Sequence, residues 1–504
     1  MAAVIPLPEK RTESKGLLVW MERALKERGH VTVSPDEDSI HDLRVALRRC
    51  RSLASVFAEV DPHPAWHELR KTSRKLFRSL GVIRDAQVQE AWALKLGSDD
   101  DPLRGQILYA LKADRDRQER DAKKSAAKFD EKHWAELARE LRPRLKLLAT
   151  DGPAAQCLAL ERLEEAVELH RVALRTEKPK PWHALRIGIK HFRYTIENLL
   201  SKQHASWAAD LKRVQDLLGD VHDLDVLLET IRGTVSEANS IGKWEEKIAR
   251  ERKERIETYR QLTLGSTSLW NQWRLGLPTN GQMAVATQAR LRATARAADP
   301  NHAKTSSTAR LAKKLFKELR HAAASSLLRG QEVDAVMQAA EMLHGIEPEN
   351  THKQANKHAR KFLAELPPPP GWNVEEWQLL ALAIRYHRGP APSAEKGRFA
   401  KLDAAQQGRL LLIAGILRIA RAWRKAGVEA GAKVRVEVKP DSISIFAEDY
   451  PEALPASKAL VVAKNLVESA IGKTIAFRAF EKLEPSLPLE FPPAEEKAQA
   501  VGTV

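Results

Sequence analysis

The amino-acid sequence predicts a mainly α-helical protein, a duplicated helical bundle followed by a second helical domain that carries a small β-hairpin. Three observations predict it. From about residue 12 to residue 275 the chain is amphipathic and rich in Ala, Leu, Arg, Lys and Glu, with breaks at prolines and glycines. Within that stretch a run beginning at His41, His-Asp-Leu-Arg-Val-Ala-Leu-Arg-Arg-Cys-Arg, returns 142 residues later from His183 as His-Ala-Leu-Arg-Ile-Gly-Ile-Lys-His-Phe-Arg. Near the C-terminus, between Lys433 and Phe446, the apolar period changes from helical to strictly alternating.

The run at His41 reads as a helix with two stripes. His41, Arg44, Arg48 and Arg51 stand at offsets 0, 3, 7 and 10, and His183, Arg186, Lys190 and Arg193 stand at the same offsets in the second copy. At about 100° per residue these positions share an arc of roughly 80°. Leu43, Leu47, Cys50, Ala54 and Phe57 form an adjoining apolar stripe. The helix therefore buries one face and turns a neighbouring cationic face toward a groove. A solvated helix face would carry acidic residues at i+4, yet Arg44 is followed by Arg48 and Arg186 by Lys190. Each like-charge pair costs roughly 0.2 to 0.5 kcal/mol in an isolated helix. Two such ribbons suit a long, negatively charged ligand. His41 and His183 fit as hydrogen-bond donors to phosphate oxygens, because no further metal ligands and no nucleophile pattern accompany them.

The duplication continues downstream. Arg74 to Asp85 matches Lys212 to Asp223 at a shift of 138 residues. Arg74 and Lys75, with Lys212 and Arg213, extend the basic sets, whereas Arg78 faces Asp216 at its equivalent position. Asp85 and Asp223 each follow a glycine by four residues, which reads as a helix cap or a brace for a neighbouring arginine, the cap being expected for Asp85. The charged stretches Lys112 to Lys124 and Lys247 to Arg260 read either as further basic surface or as solvated faces held by i,i+4 pairs. The first domain thus spans 1–280, with repeats at about 35–140 and 177–275.

Pro278, Asn280 and Gly281, then Asp299-Pro300, mark 281–300 as a linker. In the second domain, 301–484, helices are expected over Val374 to His387 and Ala404 to Ala426, after an interruption at Pro367 to Pro370. Lys433 to Lys439 and Ser442 to Phe446 form a hairpin about Pro440-Asp441, with Lys473 to Phe480 as a third strand. The tail, 485–504, is expected to be disordered.

Bulk properties narrow the function. A chain of 504 residues holds more than one core. Its 83 Lys and Arg against 67 Asp and Glu leave a formal charge of +16, with a pI near 9.7, which favours anionic partners. Cys50 and Cys157 both fall in amphipathic helical patterns, so no disulfide framework is expected and a reducing, cytoplasmic setting fits. The first twenty residues mix Glu9, Lys10, Arg11, Glu13 and Lys15 with two prolines, leaving no room for the apolar core of a signal peptide. The longest apolar stretch, Leu410 to Leu417, is too short to span a bilayer.

The His-x-x-Arg-x-x-x-Arg/Lys-x-x-Arg run and the downstream Leu-Gly-x-x-Arg/His-Asp, each present twice at one spacing, resemble the CHAD family, the conserved-histidine α-helical domain, over about residues 12–275. The resemblance implies antiparallel helices with internal two-fold pseudosymmetry around a basic channel that binds inorganic polyphosphate. It also implies the binding set: His41, Arg44, Arg48, Arg51, Arg74 and Lys75, with His183, Arg186, Lys190, Arg193, Lys212 and Arg213. It further implies location on polyphosphate granules, with granule or polyphosphate-metabolising proteins as partners.

The segments Ala309 to Leu319, Ala340 to Ile346, Leu382 to Arg388 and Leu412 to Ala420 are similar to the C-terminal HD-type helical domain of the exopolyphosphatase and guanosine pentaphosphate phosphatase family. Metal-dependent HD hydrolases bind their ion through a His-Asp pair. Here the pair reads His344-Gly345, and Arg421 stands where a later acidic residue is expected. No Gly-x-x-x-x-Gly-Lys loop occurs either. The expectation is a non-enzymatic protein with no cofactor and no metal, in which Arg385, His387 and Arg388 lend accessory phosphate contacts. The rival readings are a phosphohydrolase acting on polyphosphate or a phosphorylated nucleotide, and a nucleic-acid binder. Aromatic residues make up only 6% of the chain and none interleaves the first ribbon, which disfavours single-stranded nucleic acid.

Overall fold

The computed structural model describes residues 16–113, 115–234, 238–279, 281–347, 354–393, 395, 397–451 and 457–480; the tail at 485–504 lies outside them. Helices dominate. The first seven are α1 (Gly16–Val33), α2 (Glu37–Ala58), α3 (Ala65–Thr72), α4 (Arg74–Leu96), α5 (Pro102–Ala113), α6 (Arg115–Ala127) and α7 (Glu131–Leu141). There follow α8 (Pro153–Leu174), α9 (Pro179–Leu199), α10 (Ser201–Thr234), α11 (Ala238–Thr263), α12 (Leu269–Leu275) and α13 (Gly281–Ala298). The remainder are α14 (His302–His321), α15 (Gln331–Leu343), α16 (Ala355–Glu365), α17 (Val374–Tyr386), α18 (Ala404–Lys425) and α19 (Lys458–Ile471). Two compact units result, Met1–Ser306 with Asp334–Pro390, and Ser307–Val333 with Ala391–Val504.

In the first unit the duplication is visible as matching pairs. α1 packs on α2 as α8 packs on α9, and α2 and α9 meet each other. The apolar stripe read on the first ribbon is buried as expected, with Leu43, Leu47, Cys50 and Ala54 fully enclosed. Asp36 caps α2 by accepting the Ser39 N–H at 2.8 Å, and proline near the start opens α9, where a missing N–H costs nothing. Tryptophans close the core. Trp66 stacks on Phe57 with ring centroids 4.9 Å apart and donates to Asp61 at 2.8 Å. A separate apolar cluster of Trp92, Leu103, Leu224, Leu227, Trp244 and Ile248 joins α4, α5, α10 and α11. Cys50 and Cys157 are buried free thiols, and burial pushes both up from the ordinary range.

Residues 281–300 depart from the linker reading. Residues 281–298 form helix α13, because its run of Ala and Arg favours helix and Ala286, Leu291, Ala293 and Ala298 give it an apolar face. α13 packs on α8, where Arg290 pairs with Glu161 at 3.2 Å, both buried. α17 begins where expected, at a capping box made by Asn373 and Glu376.

In the second unit α18 opens on a capping box of Asp403 and Gln406 and packs on α19. Gly415 permits the approach: a Cβ there would lie 2.5 Å from the Val467 side chain. Three strands follow the alternating pattern. β1 (Val434–Val438) pairs antiparallel with β2 (Ser442–Ala447), and β3 (Thr474–Ala479) joins β2 in parallel, Ile475 opposite Ile443. Among the described residues no helix is long and apolar enough to cross a membrane.

Candidate functional site

Four helices bring the two ribbons together. α2 packs on α4 and α9, and α10 packs on α9 and α4. An ion pair between Arg49 and Glu197 ties α2 to α9.

Each inner cation has a defined seat. The Arg44 guanidinium lies 4.8 Å from the Phe77 ring centroid and donates to the Phe77 carbonyl at 3.3 Å. It also runs against Gly81, where a Cβ would stand 2.8 Å from Nη1. Arg51 takes the same ring at 5.1 Å and donates to Ser73 Oγ at 3.1 Å and to the Arg70 carbonyl. Arg48 reaches into the other repeat, 5.9 Å from the ring of Tyr194. The Nε atoms of Arg48 and Arg186 are buried without a hydrogen-bond partner. Burial, more than any other cause, holds Arg44 and Arg186 below the ordinary arginine range. Lys190 is pushed down to about 7 by burial, then by Arg186, Arg48 and Arg44.

Two carboxylates share this centre. Asp85 feels Arg44 of its own repeat and Arg186 and Lys190 of the other, yet burial prevails and raises its carboxyl. Its side chain is nonetheless exposed. Asp223 rises to about 6, through burial first, against the pull of Arg186. Asp85 is not the helix cap expected from sequence. It sits mid-way along α4, because Gly81 serves the approach of Arg44 and does not end the helix.

The histidines differ between repeats. His183 meets His222, Nδ1 to Nδ1, at 3.1 Å. Position 84, the equivalent of 222, is Arg84, which stands 3.6 Å from Glu37, and His41 is exposed. The outer cations are less gathered. Arg74, Lys75, Lys212 and Arg213 are exposed, Arg193 is half-buried, and Lys212 pairs with Asp216. Arg51 is lowered by burial and then by Arg70, Arg74 and Arg78, so these four cations crowd one end of the first ribbon. Sequence reasoning missed Arg70, Tyr194 and His222. Of these only His222 carried a signal, its place in the downstream repeat. On the charged helices Arg115 with Glu119 and Arg255 with Glu251 are i,i+4 pairs, whereas Arg255 with Asp220 and Arg252 with Asp225 tie α11 to α10.

At His344-Gly345, a Cβ on Gly345 would lie 2.2 Å from Thr305 Oγ1 and 2.7 Å from Asp299 Oδ2, so no carboxylate fits beside His344. His344 is buried, its ring edge-on to His387 with centroids 5.6 Å apart. Of the expected accessory residues, His387 is buried with Nδ1 2.7 Å from the Ile384 carbonyl, and Arg388 pairs with Glu347 at 3.5 Å. Arg385 lies over Tyr386, and Asn356 donates to the carbonyls of Arg385 and Arg388 at 2.6 and 3.1 Å.

Comparison with known families agrees with both halves of the sequence reading. Residues 21–232 match the CHAD domain, and residues 290–458 match domain III of the Ppx/GppA phosphatases. No curated protein matches the chain. With the repeated ribbons, their shared centre and these two matches in hand, residues 21–232 read as a CHAD domain and residues 290–458 as a region similar to domain III of the Ppx/GppA phosphatases.

Proposed function

We propose that this protein binds inorganic polyphosphate without hydrolysing it, in a basic groove between α2, α4, α9 and α10, and so accompanies polyphosphate in the cytoplasm and on its granules. The observation that carries the reading is the cation centre, which Asp85 and Asp223 offset only in part: Arg44, Arg48, Arg186 and Lys190 from both repeats, with two guanidinium Nε atoms buried and lacking an acceptor. Buried donors without partners are costly, and a phosphate chain supplies charged acceptors at each monomer. Arg51, Arg70, Arg74 and Arg78 extend the path at one end. The Ppx/GppA-like region serves as a scaffold in this reading, since position 345 leaves no space for a carboxylate beside His344.

The test is binding of the purified protein to long-chain polyphosphate at about 0.15 M salt, where loose attraction is screened beyond roughly 8 Å, with duplex DNA as competitor. Tight binding that survives excess DNA and is lost in an Arg44, Arg48, Arg186, Lys190 alanine variant supports the reading. Equal affinity for DNA, or phosphate release on adding Mg²⁺ or Mn²⁺, would replace it.

A further inference from the structure

The centre holds acids as well as bases, and their placement is the least expected feature of the site. Asp85 and Asp223 occupy equivalent positions in the two repeats, on the two helices α4 and α10 that pack on each other. Beyond them Thr230 donates to Gln89 at 2.8 Å and fixes how the two helices meet. We propose that Asp85 and Asp223 are specificity-determining residues of the anion site, a pair of carboxylates that partly offsets the shared cations and repels an incoming anion, which selects long polyanions over short ones. This rests on the polyphosphate reading of the same site.

Neither carboxylate is used as structural acids in this chain are used. Asp61 touches Arg144 at 2.8 Å, and Asp220 and Asp225, flanking Asp223, touch Arg255 and Arg252 at 2.9 and 2.8 Å. Among the described residues Asp85 and Asp223 form no direct ion pair, although cations surround them. The charged groups that act on the pair are Arg44 from α2, Arg84 from α4, Arg186 and Lys190 from α9, and Asp220 from α10. The two carboxylates also repel each other. A small anion entering this centre gains the same cations that the carboxylates already neutralise in part, and it meets two like charges. A chain of phosphates also engages Arg51, Arg70 and Arg74 outside that field, so its gain exceeds the repulsion. Both carboxyls sit above their usual range, so binding draws protons onto them.

The experiment uses the full-length chain with Asp85→Asn, Asp223→Asn and both together, titrated at pH 8 with tripolyphosphate and with long-chain polyphosphate. The double variant is expected to bind tripolyphosphate about tenfold tighter or more, since like charges in an interface are strongly unfavourable, and to discriminate less between the two lengths. Weaker or unchanged affinity would mean that the carboxylates position the arginines or do nothing, and the proposal falls. A second readout is proton uptake at pH 6, measured calorimetrically in two buffers of different ionisation enthalpy. It should persist in Lys190→Arg and shrink in the double Asn variant; uptake unaltered by the Asn substitutions overturns the inference. Should the wild-type chain fail to bind long-chain polyphosphate, the functional reading itself is lost.

Discussion

His183 and His222 face each other through their Nδ1 atoms at 3.1 Å, an arrangement in which one ring donates and the other accepts. Doubly protonated, the pair has no acceptor. His222 is lowered to about 4 by burial, then by Arg186, His183 and Lys190. Between the unfolded value of 6.5 and about 4 the unfolded chain therefore binds a proton that the folded chain refuses, and stability falls as pH drops through that window. His222→Gln should flatten the dependence of melting temperature on pH between those values. An equal slope in wild type and His222→Gln would show that the pair carries no such linkage.

Lys190 follows the same sign at higher pH. Its folded value of about 7 lies below the unfolded 10.5, so the penalty for its charge is complete below pH 7 and is relieved as pH rises from there. Lys190→Met is expected to stabilise the protein at pH 6 by about 1 kcal/mol, after allowance for solvent screening, and to weaken polyphosphate binding. Denaturant unfolding and a binding titration on the same preparation check both signs.

Gly81 and Gly219 are equivalent by sequence and unlike in space. A Cβ at 81 meets Arg44 Nη1 at 2.8 Å, and a Cβ at 219 meets nothing within 4 Å. Alanine at either place should favour the helix by about 0.5 to 1 kcal/mol. Gly81→Ala should also unseat Arg44 and lower polyphosphate affinity several-fold, whereas Gly219→Ala should leave binding untouched. Identical binding by the two variants would refute the seat assigned to Arg44.

Restoring a carboxylate after His344 should not restore a hydrolase. Gly345→Asp forces a side chain into Thr305 and Asp299, and sets a second carboxylate beside the buried Asp299 Oδ2. A loss of stability on the order of 3 kcal/mol or more is expected, with no phosphate release in Mg²⁺ or Mn²⁺. A stable Gly345→Asp protein would contradict the packing described at that position.

Local periodicity explains what could be read beforehand. Arg44, Arg48, Arg186 and Lys190 declare themselves through offsets on a single helix, and the strands near Val436 and Ile445 through strict alternation. Asp85 misleads because a glycine inside a helix looks like its end when the side chain it accommodates comes from another helix. Residues 281–298 mislead because flanking prolines outweigh an Ala-rich interior in a reading by punctuation. Tyr194 and Arg70 were beyond reach, since their contacts with Arg48 and Arg51 depend on how separate helices pack. The equivalence of Arg84 and His222 was visible in the alignment of the repeats, but its consequence needed the distance between His183 and His222.

That unequal pair bears on a question of symmetry. A linear polyphosphate has no head and no tail, so in a faithfully duplicated site it could lie in either sense, and the two complexes would be one and the same. An imidazole pair in one copy against an exposed His41 and a guanidinium at position 84 in the other removes the equivalence. Under the proposed function, the protein would thereby impose a direction on a ligand that has none of its own, and the two ends of a bound chain would leave the bundle into different chemical surroundings.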